Sequence, residues 1–145
     1  MIAATVRVVK ILLVEDFEPF RKYIWTVLQQ RLGLLVVGEA SDGPPAVESV
    51  RDLRPDLVLL DMSLPTMTGM EVARQLREFA PQTQIIFLTQ ETDPDIVTEA
   101  FSLGARGYVR KLDVQKDLLP AVEAVIAGKR FVSSSVGRPD IPLAD

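Results

Sequence analysis

Short apolar runs alternate with longer stretches in which apolar residues recur every three or four positions, and this rhythm repeats five times. A short apolar run bounded by turn formers reads as a buried strand, and three-and-four spacing reads as an amphipathic helix. Residues 6–14 form the first run, which stops abruptly at Glu15 and Asp16. Phe17, Phe20, Ile24, Val27 and Leu28 then carry a helical stripe, and the pattern extends it to near Gly33. Residues 34–39 predict a second strand. Ala46, Val47, Val50 and Leu53 predict a short helix from Gly43, stopped by Pro55 because proline disfavours helical backbone in the residue ahead of it.

Residues 56–60 predict a third strand, followed at once by Asp61 and a loop over 62–68. Met70, Val72, Ala73, Leu76 and Phe79 give the next helical stripe, closed by Pro81. Residues 84–88 are strand four, ending at Thr89, and Ile96, Val97, Ala100, Phe101 and Leu103 mark a helix capped by Gly104. Residues 107–110 are a short fifth strand running into Lys111, and Leu118, Leu119, Val122, Val125 and Ile126 mark the last helix, up to Gly128. Five strands alternating with five helices predict an α/β fold, a doubly wound parallel sheet with helices on both faces. Residues 6–130 are the expected domain. Residues 131–145, with a serine run, Gly137, Pro139 and Pro142, read as a linker or C-terminal tail.

Composition narrows the chemistry. The 145 residues suit one domain, and no apolar run approaches the length of a membrane span. The N-terminus lacks the long apolar core of a secretory signal, so a cytoplasmic protein is expected. There is no cysteine and no histidine, which excludes thiolate or Ser-His catalysis and Cys- or His-ligated metals. The formal net charge of −4, without a basic block, argues against direct nucleic-acid binding.

The strand ends are where an open parallel sheet binds ligands. Read in order, the residues after strands one, three, four and five are Glu15 and Asp16, then Asp61, Thr89 and Lys111. Taken singly, Asp16 reads equally well as a turn former, whereas an isolated Thr89 reads better as a helix cap and an isolated Lys111 as a solvated lysine. Their joint placement points to one rim. Like charges ~4 Å apart repel by about 4 kcal/mol at an effective dielectric of 20. Three carboxylates therefore call for a cation, and Mg²⁺ suits a site completed by water and phosphate oxygens. One dication and one lysine ammonium balance three carboxylates. A carboxylate can attack phosphorus to give an acyl phosphate, with a hydroxyl and a lysine stabilising the transferred group.

Those residues resemble the receiver domain family of two-component response regulators, with its CheY-like fold, over roughly 6–128. ILLVEDFEPFR resembles the family's first strand and acidic pair, and PDLVLLDMSLPTMTGMEVARQLR resembles its phosphorylation loop, with Pro65 and Gly69 in their usual places. LTQETD carries the switch threonine, Thr89, and GARGYVRK the aromatic switch residue, Tyr108, with Lys111. The resemblance implies a (βα)5 flavodoxin-like sheet of strand order 2-1-3-4-5. It implies that Asp61 accepts a phosphoryl group from a sensor histidine kinase with help from Thr89 and Lys111. It further implies Mg²⁺, or alternatively Mn²⁺, held by Asp16, Asp61 and the Ser63 backbone carbonyl, with Glu15 acting through water. Thr89 and Tyr108 would move together on phosphorylation, although Tyr108 reads equally well as a half-buried strand aromatic.

The stretch LDVQKDLLPAVEAVIAGKRFVSSSV is most similar to the NarL/FixJ branch, whose members carry a DNA-binding domain after the linker. The chain is accordingly expected to be a fragment of a transcription regulator or a stand-alone receiver, with a homodimer possible, and not a turnover enzyme. Three positions depart from the family pattern: Leu112 replaces a common proline after Lys111, the long amide of Gln90 follows Thr89 where a small residue is frequent, and Glu15 stands in place of aspartate, a common variation. A degenerate receiver that signals without phosphorylation is the alternative, and retention of all five polar residues argues against it. An aspartate-based phosphatase would need an acid at Ser63, and a flavin carrier would need a phosphate loop where Glu15–Asp16–Phe17–Glu18 stands.

Overall fold

Each predicted strand and helix forms, and the strand-end residues are carried to one edge of a single sheet. The computed structural model describes residues 7–136. Six strands, β1 (Val9–Val14), β2 (Leu34–Ala40), β3 (Leu57–Asp61), β4 (Gln84–Thr89), β5 (Gly107–Arg110) and β6 (Phe131–Val132), alternate with α1 (Glu18–Leu28), α2 (Gly43–Leu53), α3 (Gly69–Phe79), α4 (Pro94–Ser102) and α5 (Val114–Ile126). The strand order is β2-β1-β3-β4-β5-β6, and every neighbouring pair is parallel.

Side chains alternate across the sheet, which is why the strands read as continuous apolar runs. Leu12, Val14, Val58, Leu60 and Phe87 pack under α2, α3 and α4. Their neighbours Ile11, Leu13, Leu57, Leu59 and Ile86 pack under α1 and α5. Removing any one of these buried leucines costs about 2–5 kcal/mol, because the sheet cannot collapse into the gap.

Local signals set the helix starts. Asp42, Thr68 and Asp93 accept backbone amides at the heads of α2, α3 and α4. Thr68 with Glu71 fits the Thr-x-x-Glu spacing of a capping box, although only the Thr68 half of it is made, accepting from the Glu71 amide at 3.2 Å. Gly69 starts α3 hard against β3: a Cβ there would lie 2.3 Å from the Asp61 carbonyl oxygen. Only glycine fits, and the loop following Asp61 is thereby held close to the strand end.

Three boundaries differ from the sequence pattern. The first strand begins at Val9, since Val8 is 54% exposed, and Val6 lies outside the described residues. The first helix ends at Leu28, and the chain then turns to Gly33, whose φ of 93° breaks the stripe. The stretch from 131, expected as linker or tail, is structured as far as 136. Phe131 and Val132 pair with Gly107 and Tyr108, Ser133 is 1% exposed, and Val136 packs into the same cluster as Tyr108. Residues 137–145 lie outside the described residues.

Candidate functional site

Parallel pairing puts the ends of β1, β3, β4 and β5 side by side, so residues far apart in sequence share one rim. Glu15 is buried just beyond β1, its amide donating to the Ala40 carbonyl at 3.0 Å. Its Oε2 accepts from the Phe17 amide at 3.0 Å, and its Oε1 lies 2.8 Å from Lys111 Nζ. Asp61, 3% exposed, ends β3: its Oδ1 accepts from the Ser63 amide at 3.1 Å and its Oδ2 lies 3.3 Å from Lys111 Nζ. Asp16 is exposed and its carboxylate has no partner among the described residues. Glu15, Asp16 and Asp61 each offer a carboxylate oxygen within 4.8 Å of the others.

Three carboxylates and one paired lysine leave the rim negative. Burial, with the charge of Glu15 adding to it, pushes the Asp61 carboxyl up from 3.8 to about 6, against the opposing pull of the Ser63 amide and Lys111. Burial would lower Lys111, yet the bond to Glu15 and the charge of Asp61 outweigh it and hold the ammonium more firmly protonated than usual. Lys111 also lies 5.0 Å from the Phe20 ring centroid, which shields one side of it. These oxygens form a hard-donor set with an exposed member, and that set fits a divalent cation of the Mg²⁺ or Ca²⁺ type better than a thiophilic one.

Thr89 ends β4 and is buried, its Oγ1 accepting from the Glu91 amide at 3.0 Å. The helix-cap reading of this threonine does not hold, since Asp93 caps α4 and Thr89 accepts an amide of the loop before it, while remaining at the rim. Tyr108 is fully buried rather than half-buried, and its hydroxyl donates to the Glu91 carbonyl at 2.9 Å. Burial first, and then Glu91, raises its phenol well above the ordinary value. One short segment, residues 89–91, thus links the threonine and the tyrosine. Gln90 is exposed and lines the same cleft of about 1090 Å³ as Asp61 and Ser63, with Phe17, Ile96 and Leu112 supplying apolar wall.

Sequence reasoning passed over Arg21. Its Nη1 donates to the Glu15 carbonyl at 2.7 Å and its Nε to Glu39 Oε1 at 2.7 Å. The available signal was its position three residues before Ile24, on the stripe where an apolar residue belongs.

Comparison with known proteins identifies the family. The family described as the response regulator receiver domain matches residues 11–123. Response regulator UvrY of Escherichia coli (strain K12) is 34% identical over 130 residues, covering 90% of this chain and 60% of UvrY. The chain thus spans about 60% of the length of the curated relatives it matches. A LuxR-family two-component response regulator from Aurantimonas sp. SI85-9A1 superimposes with a TM-score of 0.86 at 32% identity, covering 89% of this chain and 92% of that one. The isolated REC domain of RcsB from Salmonella enterica serovar Typhimurium, solved in the presence of phosphomimetic BeF3⁻, gives a TM-score of 0.84 at 26% identity over 90% and 96% of the two chains. RcsB has also been solved as dimers bound to DNA. The matched span takes in every residue of the acidic rim, and the chain belongs to the response regulator receiver domains, among those of the LuxR/NarL type.

Proposed function

We propose that Asp61 is the phosphoacceptor of this receiver, taking the group from a sensor histidine kinase in a Mg²⁺-dependent step. The observation that carries the reading is the triangle of Asp61 Oδ2, Glu15 Oε1 and Lys111 Nζ, with Asp16 left unpaired beside it. Asp16, Asp61 and the Ser63 carbonyl would hold the metal, and Glu15 would act on it through water. Bound there, Mg²⁺ neutralises charge on the phosphoryl oxygens and on the carboxylates.

The chain's own groups account for the rest. Burial keeps Asp61 poorly hydrated, and the Ser63 amide fixes one of its oxygens, leaving the other to attack phosphorus. A P–O bond to Asp61 forms as the P–N bond of the donor's phosphohistidine breaks, and the imidazole leaves with the electron pair. Lys111 Nζ, between the two carboxylates, is placed to pair with one phosphoryl oxygen. Thr89 would turn its hydroxyl from the Glu91 amide toward another. That turn removes a bond from the 89–91 segment, whose carbonyl also holds Tyr108, so the threonine and tyrosine would shift as a unit.

The output is regulation of transcription through a DNA-binding domain outside this chain, in the cytoplasm and with homodimer formation. RcsB, solved with a phosphomimetic and as DNA-bound dimers, supports that direction. Incubation with acetyl phosphate and Mg²⁺, followed by intact-mass measurement, tests the acceptor. A phosphoryl mass gain that is lost in Asp61→Asn and in chelator is expected. No gain in the unsubstituted chain would identify a receiver that signals without phosphorylation.

A further inference from the structure

Glu15 and Asp16 sit on the bend between β1 and α1, and two carboxylates facing a third would push that bend open unless something held it. Arg21 reaches back from α1 to hold it. Its two donors bind the Glu15 carbonyl and Glu39 at the end of β2, each at 2.7 Å, and Glu18 lies 3.8 Å from the same guanidinium. The Arg21 side chain is 16% exposed, whereas Lys22 beside it is 74% exposed and makes only a loose 3.9 Å pair with Glu18. From the other side, the Glu15 amide donates to the Ala40 carbonyl, one residue after Glu39. The bend is therefore fastened to the end of β2 twice.

A bare guanidinium next to a cation site would oppose the cation, and Glu39 cancels that charge at hydrogen-bond distance. The planar fork matters because a single donor could not bind the carbonyl and Glu39 together.

We propose that Arg21 is a positioning residue for the metal site: paired with Glu39, it clamps the Glu15–Asp16 bend so that Asp16 stays beside Asp61, without adding net charge. The clamp's effect on metal rests on the Mg²⁺ reading above, and the clamp itself does not.

The test uses the full chain, titrated with MgCl₂ by calorimetry at low and moderate salt. Arg21→Ala raises the Mg²⁺ dissociation constant about tenfold at both, the worth of one hydrogen bond to a charged donor. Arg21→Lys, which keeps the charge but gathers its donors on one nitrogen without the spread of the guanidinium fork, recovers part of the loss. Glu39→Gln leaves the guanidinium balanced only by the exposed, 3.8 Å pair with Glu18, so its weakening of Mg²⁺ binding shrinks as salt is added. An arginine that only supports the fold would lower stability in Arg21→Ala and leave the Mg²⁺ dissociation constant of the folded chain unchanged. In magnesium-free protein, exchange of the hydrogen-bonded Glu15 and Phe17 amides quickens in Arg21→Ala while residues 57–60 stay protected. An Arg21→Ala dissociation constant within about twofold of the unsubstituted chain overturns the proposal. Failure of the unsubstituted chain to bind Mg²⁺ instead overturns the metal reading. The exchange arm then decides the clamp alone: unchanged exchange at Glu15 and Phe17 rejects it.

Discussion

The two ends of the sheet use the same residue types to opposite effect. Where β1 and β3 begin, Asp56 accepts the Lys10 amide on its side chain at 2.8 Å and returns its own amide to the Lys10 carbonyl at 2.8 Å. Its carbonyl accepts from Gln84 at 2.9 Å, and the Thr83 hydroxyl donates to the Pro55 carbonyl at 3.1 Å. An aspartate and a threonine there stitch strands together. At the other end, Asp61 and Thr89 occupy corresponding places, yet Asp61 shares one lysine with Glu15 and its carboxyl is pushed up to about 6. A carboxylate filled by backbone donors is scaffold. One buried among like charges stores unfavourable energy that a cation can release.

Lys111→Met breaks this contrast most severely, since Lys111 is the cation paired with both Glu15 and Asp61. The metal-free chain should lose about 3 kcal/mol at pH 7 in urea denaturation, and less at pH 5, where the Asp61 carboxyl takes up a proton. Equal losses at both pH values would count against a charge origin.

Asp61→Asn acts in the opposite direction. Because burial raises the folded carboxyl from 3.8 to about 6, the folded chain binds that proton more tightly than the unfolded chain. The stabilisation is complete below about pH 4 and is lost as pH rises through 6, a swing on the order of 3 kcal/mol. In chelator, Asp61→Asn should therefore exceed the unsubstituted chain in stability at pH 7.5 by about 2 kcal/mol, the gap closing toward pH 4. A variant less stable at pH 7.5 would show that the rim carries no such load.

Asp56→Ala sharpens the contrast from the scaffold end. Loss of the bond to Lys10 should cost about 1 kcal/mol and leave the rate of acetyl phosphate labelling unchanged. The smallest effect belongs to Gln90→Ala. Trimming an exposed amide on the cleft wall should raise labelling and loss of the phosphoryl group by about two- to threefold, ~0.5 kcal/mol of barrier. If neither rate moves, Gln90 does not restrict access.

Much of this was legible in the sequence because buried parallel strands are unbroken apolar runs, and strands such as β3, with five consecutive buried residues, leave no ambiguity of face or period. Glu15, Asp16, Asp61, Thr89 and Lys111 could be grouped because each follows directly on such a run. Strand β6 could not be read, since two residues carry no period and a serine run beside them resembles a linker. Ser133 is buried there because its hydroxyl accepts from the Arg110 amide at 3.1 Å, a long-range contact with no local signature. Tyr108 was undecided for a similar reason. Its depth depends on Phe87, 6.5 Å away between ring centroids, and on the Glu91 carbonyl, neither of which is adjacent in sequence. Arg21 was missed because a basic residue on a helix ordinarily faces water.

Strand β6 runs parallel to β5, so the described chain finishes at the same edge as Lys111 rather than at the edge where β1 begins. Its last turns stay in touch with that edge: the Ser133 amide donates to the Tyr108 carbonyl at 3.0 Å, and the Ser135 hydroxyl binds Asp113, two residues beyond Lys111. Chemistry and exit are therefore neighbours. Two hydrogen bonds, from the Ser133 amide and the Ser135 hydroxyl, join the end of the described chain directly to β5 and to the turn that follows Lys111.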